Sequence, residues 1–178
     1  SLKDITNESY RIRNTPSILL LRDPRDVMIS YFFHITKRNI KSASDNKIQE
    51  ISDIIDHETL GFKRIIDFMN IWYSSCINGK SVIVFYEDIK KSPQKEFSKL
   101  LFHLGETEIN EKALLKAIDE TSFEKMKEKE KENIASSQYL NAKNINDNDS
   151  FKSRKGKVNG YLDYLDKNQI DSLNNYML

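Results

Sequence analysis

The chain has 178 residues, long enough for one domain with a real core, and 28 Lys+Arg against 27 Asp+Glu leave a formal charge of +1. That near balance argues against bulk nucleic-acid binding, and a single cysteine, Cys76, excludes an intrachain disulfide framework and suits a reducing, cytoplasmic setting. No apolar run approaches the ~20 residues needed to span a bilayer, and no leader peptide is legible.

In chain order, residues 10–14 offer at most a weak edge strand. Ile18 to Leu21 is a continuous apolar run, as expected for a parallel strand covered on both faces, and Arg22 stands at its end. In open α/β sheets ligands bind outside the carboxyl ends of strands, and a planar guanidinium suits two-point recognition of phosphate. Asp23 is a good N-cap and Pro24 a good first helical residue, so a helix is expected over about 24–38. Helical spacing puts Asp23, Val27, Ser30 and His34 on one face, so Arg22 and Ser30 could grip one anion. Equally, Arg22 could pair with Asp26 while Ser30 satisfies a helix carbonyl.

Residues 39–56 read as a loop with a short helix. From 58 to 77, Phe62, Ile65, Ile66, Met69, Trp72, Tyr73 and Cys76 recur at helical spacing, with His57 opening the helix and Asn78-Gly79 ending it. Ser81 to Tyr86 is a second buried strand. Glu87-Asp88 follow it, and Ser92-Pro93 open a helix with a stripe of Phe97, Leu100, Leu101 and Leu104, closed by Gly105. A further helix over 110–120 packs by Leu114, Leu115 and Ile118. The Lys/Glu-rich stretch 124–138 reads as a solvated helix or mobile arm, and 141–153 as a flexible loop. A last amphipathic helix, 167–177, uses Ile170, Leu173 and Met177. The alternation is α/β, but two strands do not by themselves make a stable sheet of this class, so strands are expected upstream or have been missed.

Four segments together carry a resemblance. They are Arg22-Asp23-Pro24-Arg25-Asp26-Val27 with Ser30-Tyr31; Phe85-Tyr86-Glu87-Asp88-Ile89-Lys90 with Ser92-Pro93; Thr121-Ser122-Phe123 with Met126; and Arg154-Lys155-Gly156-Lys157-Val158. In this order and spacing, over residues 17–165, the chain resembles the C-terminal part of the sulfotransferases that use 3′-phosphoadenosine 5′-phosphosulfate (PAPS). The resemblance implies a P-loop-like, three-layer α/β fold with a parallel sheet, here one domain over 1–178 that lacks its N-terminal strands. It implies transfer of a sulfuryl group from PAPS to an acceptor hydroxyl or amine, leaving adenosine 3′,5′-bisphosphate (PAP).

The resemblance also assigns roles. Arg22 and Ser30 would hold the 3′-phosphate, Tyr86, Thr121 and Phe123 would contact the adenine, and Arg154, Lys155 and Gly156 would close over the 3′-phosphate. The assignment makes chemical sense, because a 3′-phosphate needs dedicated cations and a glycine lets backbone N–H groups approach. An aromatic face beside the base contributes on the order of 1–3 kcal/mol elsewhere. Each residue also has a plainer reading: Phe123 as a core plug, Tyr86 as strand core, Arg154-Lys155-Gly156 as a basic turn. Glu87-Asp88 read as bracing the strand–loop junction rather than as a catalytic pair.

There are departures from the family pattern. No glycine-containing phosphosulfate loop is found, and none of Gly61, Gly79, Gly105, Gly156 and Gly160 fits one. No histidine precedes Arg22, where the family's base would lie, and His34, His57 and His103 are not assigned to that role; no catalytic residue and no metal site is expected in this chain. Asn159-Gly160-Tyr161 stands where members often carry Gly-Asp-Trp, and Leu162 to Asp166 shows no dimer motif. The acceptor stays open among small molecules, carbohydrates and lipids. A non-catalytic PAP-binding or protein-interaction module is the alternative to an enzyme, and a P-loop kinase relative fits less well.

Overall fold

The computed structural model describes residues 16–38, 47–77, 80–132 and 141–177. The chain divides into two compact units. The first runs up to Arg22 and takes in Arg64–Ile118; the second combines Asp23–Lys63 with Asp119–Leu178.

The first unit holds the sheet. Strands β1 (Ser17–Leu21) and β2 (Ser81–Phe85) pair in parallel, in register from Ser17 opposite Ser81 to Leu21 opposite Phe85. β2 hands directly into helix α4 (Tyr86–Lys91), so Tyr86 is the first residue of a helix rather than the last of a strand. The acidic pair Glu87-Asp88 then falls in a first helical turn, where carboxylates favour the exposed N–H groups. Helix α5 (Pro93–His103) follows at once, with Ser92 before it and proline in its first turn. Both α4 and α5 contact β2. Helix α3 (Phe62–Ile77) spans the boundary of the units and buries Cys76, as its apolar stripe requires. Helix α6 (Glu111–Glu120) buries Leu114, and Asn110 accepts the Ala113 N–H at 3.0 Å as its cap.

Several sequence expectations shift here. Among the described residues, β1 is covered on one face: Ile18 and Leu20 are 39% and 55% exposed while their neighbours are half-buried. An apolar run marks a strand but does not say which face finds a partner. Leu104 and Leu115 are exposed as well, each at the margin of its helical stripe. The helix expected from residue 58 starts at Phe62. His57 does not open it; its Nδ1 accepts the N–H groups of Thr59 and Leu60 at 3.3 Å in the preceding turn. Gly61 is forced there, because a Cβ would meet the His57 carbonyl oxygen. The weak strand at 10–14 and the Asn78-Gly79 stop lie outside the described residues.

The second unit holds the large, fully buried side chains: Met28, Ile29, Ile35, Ile48, Ile54, Phe62 and Leu173. Each such side chain contributes about 1.5–3 kcal/mol by leaving water. Met28 and Ile29 belong to helix α1 (Pro24–Phe33), capped by Asp23 as expected, whose side chain accepts the Arg25 N–H at 2.9 Å. The helix widens into a π-helical turn over His34–Arg38. Short helix α2 (Ile51–Ile55) packs on α1 and carries a capping box between Glu50 and Asp53. The charged stretch forms helix α7 (Phe123–Lys131). Residues 141–153 are not a structureless loop. They turn through a 3-10 segment, Asn148–Ser150, and bury Ser150 and Phe151. A second 3-10 turn, Gly160–Asp163, contacts α1, and helix α8 (Lys167–Asn175) ends the unit with Leu173 inside. Met177 is exposed beyond it.

Candidate functional site

The residues singled out from the sequence fall in both units. In the first, Arg22 follows β1 and Tyr86 follows β2. Because the strands are paired in parallel and in register, their exits lie side by side. The Arg22 guanidinium carbon sits 4.4 Å from the Tyr86 ring centroid. A cation held over an aromatic face is fixed in direction. Asp26, on α1, is 3% exposed and accepts the Tyr161 N–H at 2.8 Å.

In the second unit, Arg154, Lys155, Gly156, Phe123, Ser30 and Thr121 are placed by three elements. Gly156 has φ +58°, a left-handed conformation that glycine adopts without steric cost. A Cβ there would collide with the Phe123 ring, lying 2.7 Å from its Cε2. Phe123 and Gly156 are therefore brought together, and the aromatic ring and the bare backbone form one surface. Arg154 is 13% exposed, with its guanidinium 4.0 Å over Phe33, a hydrogen bond to the Tyr164 hydroxyl, and Asp149 at 3.7 Å. Lys155 lies 4.3 Å over the Tyr164 ring and 3.0 Å from Asp163, which Lys157 also reaches at 2.8 Å. Hydrogen bonding to Tyr164 and then to Asp163 holds the Lys155 ammonium above its usual value, and the two lysines hold Asp163 below the usual carboxylate range. Three cations and a glycine in left-handed conformation thus occupy four consecutive positions, a concentration of donors suited to an anion. Ser30 is exposed on α1, and Thr121 is exposed in the turn before α7.

Other residues support this surface without having been legible as doing so. Arg25 makes a fork with Asp23, donates to Asn174 Oδ1 at 2.7 Å and lies 4.1 Å over Tyr161, which ties α1 to α8 and to the Gly160–Asp163 turn. Glu130, expected on a solvated arm, is buried. Its helix carries Phe123 at the other end. His34 stacks on Tyr31 at 6.5 Å, and burial, then the Arg38 and Lys152 charges, hold its imidazole below the usual value.

Elsewhere, an open groove of about 610 Å³ in the first unit is lined by Ser92, Pro93, Lys95, Ser98, Leu115 and Ile118, and none of the residues assigned to the cofactor lines it. Among the described residues, no cluster of His, Cys, Asp or Glu could hold a metal ion, and no helix is long and apolar enough to cross a membrane.

The fold is of the α/β class, with a small parallel sheet among its described residues. A family model described as the sulfotransferase domain matches residues 5–178, and the chain belongs to that family. It is 28% identical to Sulfotransferase 1C2 of Homo sapiens over 67% of this chain and 40% of that one. It is 29% identical to Cytosolic sulfotransferase 14 of Arabidopsis thaliana over 97% of this chain and 49% of that one. Among solved structures it is similar to retinol dehydratase in complex with androsterone and the inactive cofactor PAP. The TM-score is 0.64 at 19% identity, over 90% of this chain and 45% of that one. That likeness bears out the expected P-loop-like α/β fold. The chain spans about half the length, or less, of these relatives.

Proposed function

We propose that this chain carries the PAP-binding residues of a PAPS-dependent sulfotransferase. The observation that carries the reading is the Arg154-Lys155-Gly156 element, whose glycine backbone is pressed against the Phe123 ring and whose two cations both lie over the Tyr164 ring. A 3′-phosphate would be met by the Arg154 fork, the Lys155 ammonium and the backbone N–H groups around Gly156. Arg22, aimed by Tyr86, would supply a second fork, and Ser30 a hydroxyl. Tyr86, Thr121 and Phe123 would contact the adenine.

The reaction breaks the bond between sulfur and the bridging oxygen of the phosphosulfate. It forms a bond from sulfur to an acceptor hydroxyl or amine, and PAP departs with the bridging oxygen. The acceptor proton passes to a base, a role assigned to no residue of this chain. These cations would act on the donor, binding and orienting PAPS and holding PAP after transfer. A small-molecule acceptor is supported by the androsterone named in the retinol dehydratase complex, and carbohydrate and lipid acceptors fit the same chemistry. One domain over the chain is supported by the extent of the family match, and a cytoplasmic setting by the single cysteine and the cytosolic relative.

The test is calorimetric titration of the chain with PAP, with 5′-AMP and Arg22→Ala as controls. Binding that needs both Arg22 and the 3′-phosphate is expected. A folded chain that binds PAP no better than 5′-AMP would overturn the reading.

A further inference from the structure

Glu130 and Arg38 form an ion pair at 3.3 Å with side chains only 3% and 6% exposed. Neither motif nor spacing drew attention to them. Between them they bind four backbone groups. Glu130 accepts the Lys152 N–H at 2.5 Å on one carboxylate oxygen and the Ser153 N–H at 2.8 Å on the other. Arg38 donates to the Ser150 carbonyl at 2.6 Å and the Asn141 carbonyl at 3.1 Å. All four backbone groups belong to the segment that leads into Arg154, and the last two amides immediately precede it.

We propose that Arg38 and Glu130 are positioning residues for the Arg154-Lys155-Gly156 element. Helix α7 acts as the ruler. Glu130 and Phe123 are seven residues apart on it, two turns on one face, about 10 Å along the axis. Glu130 clamps residues 152 and 153 at one end, and Phe123 receives Gly156 at the other. The chain between them is thereby held at both ends by a single rigid element. Arg38 balances the buried carboxylate and ties the start of the segment to the end of the π-helical turn. A buried ion pair is weak as a source of stability, since an apolar pair of similar volume often does as well. Two charges spent on specific backbone groups next to a cationic loop serve placement. In a loop otherwise free to shift, phosphate donors would have to be ordered at each binding event, at a cost in affinity.

This inference rests on the reading of that element as a 3′-phosphate site. The test titrates the wild-type chain, Glu130→Gln and Arg38→Lys with PAP and 5′-AMP, and follows amide hydrogen exchange at residues 152 and 153. The 3′-phosphate preference, the ratio of the two affinities, is the quantity that a merely structural role would not move. In Glu130→Gln, PAP affinity is expected to fall at least about tenfold with 5′-AMP affinity within about twofold, and protection at 152 and 153 to be lost. Arg38→Lys keeps the charge but loses the fork, and is expected to move the ratio the same way by less. It decides the matter if Glu130→Gln fails to fold. A wild type that prefers PAP, with folded variants that prefer it equally, overturns the positioning role alone. Loss of the fold in both variants also overturns it, in favour of a purely structural pair. A wild type that binds both nucleotides alike overturns the 3′-phosphate reading, and the positioning role with it.

Discussion

The ring of Phe123 fills the space in which residue 156 would carry a side chain: a Cβ on Gly156 would stand 2.7 Å from the ring's Cε2 and 2.9 Å from its Cγ. The left-handed φ of +58° adds a second reason for glycine. Gly156→Ala is therefore expected to lower PAP affinity on the order of tenfold and stability by about 1–2 kcal/mol. Adding Phe123→Ala should recover part of the stability loss but not the affinity. Thermal melts and calorimetry on the single and double variants check this. Strictly additive stability losses would show that the two residues do not act on each other.

Arg22 and Lys129 offer a contrast between a fixed and an exposed cation. Arg22 is held over Tyr86, whereas among the described residues Lys129 reaches the exposed Glu120, its carbonyl at 3.1 Å and its carboxylate at 3.7 Å. On the proposed function, Arg22→Ala should weaken PAP by roughly ten- to a hundredfold, the worth of a charged hydrogen bond. Lys129→Ala should change it less than about twofold. Equal effects in a PAP titration would remove Arg22 from the site.

Asp26 illustrates a stability effect with no direct ligand contact. It is buried and accepts the Tyr161 N–H at 2.8 Å, which pins the Gly160–Asp163 turn to α1. Asp26→Ala leaves that buried N–H without its acceptor and should cost about 1–3 kcal/mol. For a chain of this size the melting temperature should fall by about 2–4 °C per kcal/mol. An unchanged melting curve would contradict the assignment.

His34 predicts a pH dependence. Burial and the Arg38 and Lys152 charges depress its proton affinity in the folded state. As pH falls below the ordinary histidine value of about 6.5, the unfolded chain takes up the proton first. Stability is therefore present above that value and is lost as pH falls toward the depressed folded value. Urea midpoints measured between about pH 7.5 and pH 5 should decline, and His34→Gln should flatten the decline. A variant with the wild-type slope would exclude His34 as its source.

Much of this was readable in the chain. The Asp23-Pro24 start of α1, the stripe of α3 that buries Cys76, and the Ser92-Pro93 start of α5 appear as expected. These are local rules of capping, proline and period, which act over a few residues. The order of the four motifs pointed to the family to which the chain belongs. What local rules do not contain is which side chain meets a distant backbone. A Lys/Glu-rich helix looks solvated whichever carboxylate turns inward, so Glu130 was missed, and with it the order of 141–153.

The sequence by itself determined the elements, their class and the family, because periodicity, caps and motif order are written in neighbouring residues. Only the tertiary structure decided that Tyr86 starts a helix and lies under Arg22, that β1 leaves Ile18 and Leu20 exposed, and that Gly156 is pressed against Phe123. It also decided that Arg38 and Glu130 grip the backbone before Arg154. The contacts among these join residues from 23 to 112 positions apart. Their energies depend on burial and geometry that no local pattern specifies.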